Sequence, residues 1–106
     1  MANSFKNAKI DLTTTNATVL YTCPNAKTAV FKSILASEDS GNADTITATL
    51  TSGSSVFSLF KVKAVSANAT VELLTAPLVV QENEIIKVTA ATANRLHVVA
   101  SLLEVS

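Results

Sequence analysis

Apolar and polar residues alternate along much of the chain with a period of two. The clearest case is the run from Asp44 to Thr51, in which Ile46, Ala48 and Leu50 fall on one face and threonines on the other. Successive side chains of a strand point to opposite sides of its sheet, so this alternation is typical of a β-strand with one buried face. The same apolar residues would be scattered around a helix. The run therefore predicts a strand.

The same pattern, followed along the whole sequence, predicts about eight short strands. Threonine, valine and isoleucine are plentiful, and β-branched residues favour extended backbone. The predicted strands cover residues 6–13, 17–23, 28–37, 44–52, 56–65, 69–75, 84–90 and 96–105.

Residues that favour chain reversal lie between these strands. Gly53 lies where a hairpin needs a residue with positive φ. Asn68, Asn83 and Asn94 lie where the chain should reverse, and asparagine tolerates the left-handed conformation better than most residues. The two prolines end the preceding segments or confine them to sheet edges.

Many short strands with frequent turns predict an all-β fold, an antiparallel two-sheet sandwich of about eight strands, jelly-roll-like. The alternative is an immunoglobulin-like sandwich, which is weakened because the chain has one cysteine and no tryptophan. We expect a single β-sandwich domain over residues 1–106, with residues 1–5 as a candidate N-terminal arm.

Two predicted strands are apolar on both faces. The segment 30–35 is one of them, and the last strand is the other, with Val99, Leu103 and Val105 opposite a second apolar set. A strand of a two-layer sandwich normally has one wet face, so something should cover the outer one. A subunit contact and a covering loop are the two explanations.

The composition favours the subunit contact. Hydrophobic residues make up 48% of the chain and charged residues 15%, which is apolar for a small protein with a large surface fraction. No run approaches the roughly 20 apolar residues that span a bilayer. Eight basic and eight acidic residues are dispersed along the chain, which argues against nucleic acid or a membrane surface as partner.

The residues that usually carry chemistry are scarce. Cys23 and His97 are the one cysteine and the one histidine, and no second ligand lies near either in sequence. We therefore expect no catalytic residues, no metal site and no cofactor, and the chain is not expected to be an enzyme. A buried thiol at a strand end and a surface or structural histidine are the simpler interpretations.

Acidic residues cluster in two of the predicted turns. The clusters consist of Glu38, Asp39 and Asp44 in one, and Glu82 and Glu84 in the other. Paired carboxylates can bind calcium, but the spacing matches no calcium loop. We interpret all five as solvated turn charges, with an adventitious cation site as the alternative.

Two long segments of the sequence resemble small virion proteins of tailed bacteriophages, including marine ones. The segments are NAKIDLTTTNATVLYTCPNAKTAVFKSILASE and ADTITATLTSGSSVFSLFKVKAVSANATVELLTAPLVVQENEIIKVTAATANRLHVVASLLEVS. The resemblance covers nearly the whole chain. It consists of the order of the strand and turn segments and includes no invariant catalytic residues. The family often has an acidic-glycine turn where this chain has Gln81-Glu82-Asn83-Glu84.

The resemblance implies a β-rich structural protein of the virion, made in the bacterial host cytoplasm. We expect a capsid decoration or cement protein that binds copies of itself, with a trimer as one candidate, and the major capsid protein or other virion proteins. The alternative is a tail or fibre module that binds a host-surface glycan or receptor, although Tyr21 and four phenylalanines are the only aromatic residues.

The strands with two apolar faces suggest where such a protein would dock. We expect the interface to include the outer side of the last strand, Val99, Leu103 and Val105, extended by Ile85. Phe5 is expected to contribute from the N-terminal arm.

Overall fold

The protein is described by a computed structural model over residues 3–106, which form nine β-strands and no helix. The strands are β1 (Asn3–Asp11), β2 (Thr18–Thr22), β3 (Thr28–Glu38), β4 (Asp44–Ser52), β5 (Ser55–Val65), β6 (Thr70–Glu72), β7 (Leu78–Val80), β8 (Ile85–Ala90) and β9 (Leu96–Val105). None of these described residues belongs to a helix that could cross a membrane.

The strands form two antiparallel sheets that pack face to face, which confirms the predicted sandwich. One sheet has five strands in the order β1-β9-β3, with β6 and β7 end to end along the far edge of β3. The other has four strands in the order β2-β8-β4-β5. The pairs β4–β5, β3–β6/β7, β2–β8 and β1–β9 are nested, as in one long hairpin rolled upon itself. This is the connectivity of a jelly roll.

The sequence predicted a strand at residues 69–75, which contains β6, and none at β7. The predicted strand 69–75 is only three residues long as β6, and the chain then leaves the edge of β3 before returning as β7. The carboxylate of Glu72 substitutes for a strand at the gap, because its Oε2 accepts a hydrogen bond of 2.8 Å from the backbone N–H of Ile34. Pro77, which has no N–H to donate, comes just before β7.

The predicted N-terminal arm is strand from Asn3 onward. Asn3, Ser4 and Phe5 begin β1 and pair in register with Val105, Glu104 and Leu103 of β9. Met1 and Ala2, the rest of the predicted arm, lie outside the described residues.

The core lies between the sheets and is built from the inward side of each strand. The last strand shows the rule, since its residues are buried and exposed in alternation from Leu96 to Leu102. Phe31 is the largest fully buried side chain, and the ring of Tyr21 meets it edge-on with centroids 5.2 Å apart. Burial of these inward-facing apolar side chains drives the association of the two sheets.

The turn residues predicted from sequence have the predicted conformation. Gly53, Asn68, Asn83 and Asn94 all have φ between 58° and 65°. Asparagine tolerates this left-handed region, and glycine enters it without a Cβ penalty. These four positions fix where the chain reverses.

Candidate docking face

An apolar row crosses the outer face of the five-stranded sheet. Phe5 on β1 is the register partner of Leu103 on β9, Leu103 is the partner of Val30 on β3, and Val30 is the partner of Val79 on β7. Paired residues of neighbouring strands lie on the same face with Cβ atoms about 5 Å apart. The row therefore forms a continuous apolar strip across four strands.

Further apolar side chains share this face. Val99 of β9 pairs with Leu35 of β3, and Val105 lies one row beyond Leu103. We call this surface the docking face, defined by seven residues. They are Phe5, Val30, Leu35, Val79, Val99, Leu103 and Val105.

The docking face is exposed to solvent although its residues are apolar. Phe5 leaves 80% of its surface in contact with solvent, and Val99 leaves 42%. Isolated exposed hydrophobic residues are ordinary on protein surfaces, but a contiguous group of them commonly marks an interaction site. Among the described residues, no loop of the chain itself covers Phe5 or Val99.

Four of the five residues predicted as an interface lie on this face. Phe5, Val99, Leu103 and Val105 are brought together by the pairing of β1 with β9. Ile85 is not among them. It pairs with Thr22 and Thr51 on the outer side of the four-stranded sheet, so one flat contact cannot include all five residues.

The sequence prediction missed three members of the docking face. Val30 and Leu35 come from the segment 30–35 whose two-faced apolarity was the available signal. Val79 lies in β7, a three-residue strand that shows no alternation over a usable length. Only the register places Val30 and Leu35 beside β9, and Val79 beside Val30.

Charged residues flank the apolar residues on the docking face. Lys9 of β1 and Glu72 of β6 occupy opposite ends of the row that contains Val99 and Leu35. Lys32 belongs to the bulge of β3 and, with Phe5 and others, lines a shallow depression on the β1 side. Lys9 thus lies towards β1 and Glu72 towards β6, while Asp11, one row beyond Lys9, adds a negative charge on the β1 side.

Glu72 is held in its charged form. Burial would raise the pKa of its carboxyl group, but hydrogen bonds from the Ser33 hydroxyl and from the backbone N–H groups of Ile34 and Leu74 lower it below the usual value. The carboxylate is therefore fixed in place and ionised at neutral pH.

His97 also lies on the outer side of β9. Its Nε2 is 3.4 Å from a carboxylate oxygen of Asp11, the residue opposite it on β1. Both side chains are about half exposed or more, so a contact of this kind adds little stability. The geometry is that of a surface cross-strand pair.

A polar cluster around the buried Glu104 holds β1 against the rest of the fold. Glu104 points inward from β9, and its carboxylate accepts a hydrogen bond of 2.6 Å from the Tyr21 hydroxyl on β2. Lys6 of β1 places its Nζ 2.9 Å from the same carboxylate, and Lys27 approaches to 3.6 Å. The cluster joins both sheets and fixes the strand that carries Phe5.

The pKa values of this cluster follow from its contacts. The hydrogen bond from Tyr21 is the main cause that lowers the pKa of Glu104, and Lys6 lowers it further. Burial, followed by the hydrogen bond to Glu104, raises the pKa of Tyr21 far above its usual value. The pair is therefore a carboxylate and a neutral phenol at neutral pH.

The interpretation of the acidic clusters as solvated charges is wrong for Glu38 and Asp44, which are both buried. Glu38 accepts hydrogen bonds from the backbone N–H groups of Ser40, Gly41, Asn42 and Asn68. Asp44 accepts one from the backbone N–H of Thr92. Buried turn N–H groups need acceptors, and these carboxylates supply them.

Glu38 has a strongly lowered pKa as a result. Burial by itself would raise it, but the hydrogen bonds from Ser40, Asn68 and Gly41 outweigh burial and lower it from 4.5 to about 2. The turn after β3 and the turn before β6 are therefore tied to one ionised group.

No catalytic arrangement is built around the cysteine. Cys23 is buried, its thiol lies 3.4 Å from the carbonyl oxygen of Lys27, and burial raises its pKa. A thiol of this kind is a poor nucleophile. Over residues 3–106, no group of three or more His, Cys, Asp or Glu side chains could hold a metal ion.

A second set of exposed apolar side chains lies on β5. Val56 and Phe57 are consecutive residues of the strand and therefore point to opposite sides of the sheet. Val62 lies further along, at a bulge. These side chains do not share one surface, unlike the seven of the docking face.

Comparison with known proteins identifies the fold and no family. The chain matches no protein-family model and no curated protein. Among solved structures it is similar to a chain from the Bacillus endospore appendages, described as a novel family of disulfide-linked pili. The match has a TM-score of 0.53 and 14% identity, and it covers 96% of this chain and 85% of the other. At this identity the likeness shows a shared fold.

Proposed function

We propose that this chain is a non-enzymatic structural protein of a bacteriophage particle, and in particular a capsid decoration or cement protein. Its task would be to bind neighbouring virion proteins through the docking face. The observation that carries the proposal is the continuous apolar row from Phe5 through Leu103 and Val30 to Val79. The sequence resembles small phage virion proteins, and this resemblance is the reason for proposing a phage particle as the assembly.

The energetics suit a component present in many copies. Covering a side chain such as Phe5 is worth roughly 1.5–3 kcal/mol, so the row provides a modest contact once the cost of association is subtracted. On a symmetric shell, many modest contacts add through avidity. A formal net charge of zero also reduces repulsion between closely packed copies.

The test is whether the protein is part of the particle. Gradient-purified particles should contain the chain at a constant molar ratio to the major capsid protein, measured by quantitative mass spectrometry. Leu103→Asp should lower this occupancy at least about tenfold, because it places a charge in the apolar row. Val19→Asp is the control, since Val19 is exposed on the other sheet. A chain found only in the soluble fraction of the lysate would contradict the proposal.

A self-assembling filament is the second candidate, favoured by the likeness to the pilus-forming appendage protein. One feature weighs against a close analogy. Those pili are described as disulfide-linked, whereas the single cysteine of this chain is buried. Electron microscopy of the concentrated protein separates the candidates, since filaments that survive reducing agent would favour this second function.

A further inference from the structure

We propose that the docking face is covered by a second copy of this chain, in a back-to-back dimer whose two-fold axis runs roughly along the strands of the five-stranded sheet. The inference deepens the proposed function by naming the partner of the same surface. It rests on the arrangement of apolar and charged residues across the sheet.

A two-fold axis along the strands, between β9 and β3, exchanges the two halves of the face. Phe5 of one copy then lies over Val79 of the other, and Leu103 lies over Val30. Val99 likewise lies over Leu35. Each apolar residue thus meets an apolar residue, because the rows run straight across the sheet in register.

The same axis brings opposite charges together. Lys9 on the β1 side lies in the same row as Glu72 on the β6 side, so the rotation places each lysine over the partner's glutamate. Lys32, which extends towards Phe5 and Asn7, would approach that glutamate as well. Complementary charge of this kind selects the orientation of a contact.

The other two-fold axis in the plane of the face fits poorly. An axis across the strands would lay β1 on β1 and reverse the order of the rows. Glu72 would then lie over Val79 of the second copy, so its negative charge would face an apolar side chain and would no longer lie opposite a lysine. The charges therefore favour the axis along the strands.

The area available is sufficient for a specific, weak dimer. Three strands of about ten residues, with β6 and β7 of three residues each along the edge, all about 4.8 Å apart, cover roughly 550 Å² on each copy, or about 1,100 Å² in total. This is the lower end of the range for specific interfaces, and we expect a dissociation constant on the order of micromolar. Two sheets that pack with aligned strands cross at about 30°, so contact is tightest at the centre of the face.

Sedimentation equilibrium of the full chain tests the dimer. The wild-type protein should dimerise at micromolar concentration. Val99→Asp should raise the dissociation constant at least about tenfold, because the substitution acts twice in a two-fold dimer and buries a charge. The matched control is Val19→Asp, since Val19 is 47% exposed on the outer face of the four-stranded sheet. It should leave the dissociation constant unchanged.

A charge reversal tests the orientation without touching the apolar row. Lys9→Glu combined with Lys32→Glu should also weaken the dimer about tenfold, while Lys87→Glu on the other sheet should not. Circular dichroism confirms that each variant is folded. An unchanged dissociation constant in the double variant, or a trimer, would overturn the arrangement.

The outcomes separate this inference from the proposed function. A chain that stays monomeric at millimolar concentration yet occupies phage particles would overturn the dimer and leave the proposed function standing. A chain that dimerises through this face but is absent from purified particles would leave the dimer standing and overturn the proposed function.

Discussion

Single carboxylates each hold a different part of the fold together. Glu38 satisfies the turn after β3, Glu72 completes the edge of β3 between β6 and β7, and Glu104 joins the sheets through Tyr21. The sequence showed Glu38 as one more polar residue in a turn. Its burial depends on Asn68, which is distant in sequence, and no local pattern reveals such a contact.

The lowered pKa of Glu38 predicts a pH dependence of stability. Since the folded-state pKa is about 2 and the ordinary value is 4.5, ionised Glu38 stabilises the fold above pH 4.5. That contribution is lost as the pH falls from about 4.5 to about 2. Glu38→Gln should therefore unfold at lower urea concentration than the wild type at pH 6, and the difference should shrink towards pH 2.

Asp39→Asn is the control for this titration, because Asp39 is an exposed neighbour in the same turn. It should follow the wild-type pH dependence. A difference between wild type and Glu38→Gln that stays constant from pH 6 to pH 2 would show that ionisation of Glu38 does not stabilise the turn.

At the scale of strands and turns, the sequence predicted most of the fold because the signals were local. Period-two alternation gave the bounds of β4 and β9, and the three turn asparagines have the expected left-handed conformation. β7 was missed because three residues after a proline carry no periodic signal. The full docking face was missed for a different reason, since Val30 and Val79 become neighbours only through the pairing of β3 with β7.

The bulge in β5 contains a strained residue that the sequence did not reveal. Val62 has φ of 53°, a region that β-branched residues rarely enter. The backbone N–H of Val62 donates a hydrogen bond of 3.0 Å to the hydroxyl of Thr47, which helps to hold the bulge. Strain of this type costs of order 1–3 kcal/mol.

Replacing Val62 with glycine should stabilise the protein. Val62 is 61% exposed, so little buried surface is lost, and relief of the strain should exceed the entropic cost of glycine by about 1 kcal/mol. The matched control is Val56→Gly in the same strand, where Val56 is 63% exposed and has no positive φ. It should destabilise by about 1 kcal/mol. Urea unfolding measures both, and destabilisation of equal size in the two variants would contradict the assignment of strain.

At the scale of the whole molecule, the two outer faces of the sandwich differ in character. The face of the four-stranded sheet carries threonines around Ile85, including Thr22 and Thr51. The face of the five-stranded sheet carries Phe5 and the apolar row. Val19, Ile85 and Val56 also lie on the threonine-rich face, but the continuous apolar row lies on the other, so the two sides of the sandwich would make different contacts in an assembly.

A density map of the purified phage particle tests the central claim most directly, because it shows what lies against each face of the sandwich. We expect the five-stranded sheet to face another protein, with Phe5, Val99 and Leu103 inside the contact. A map in which these side chains face solvent, while the four-stranded sheet makes the contacts, would contradict the account.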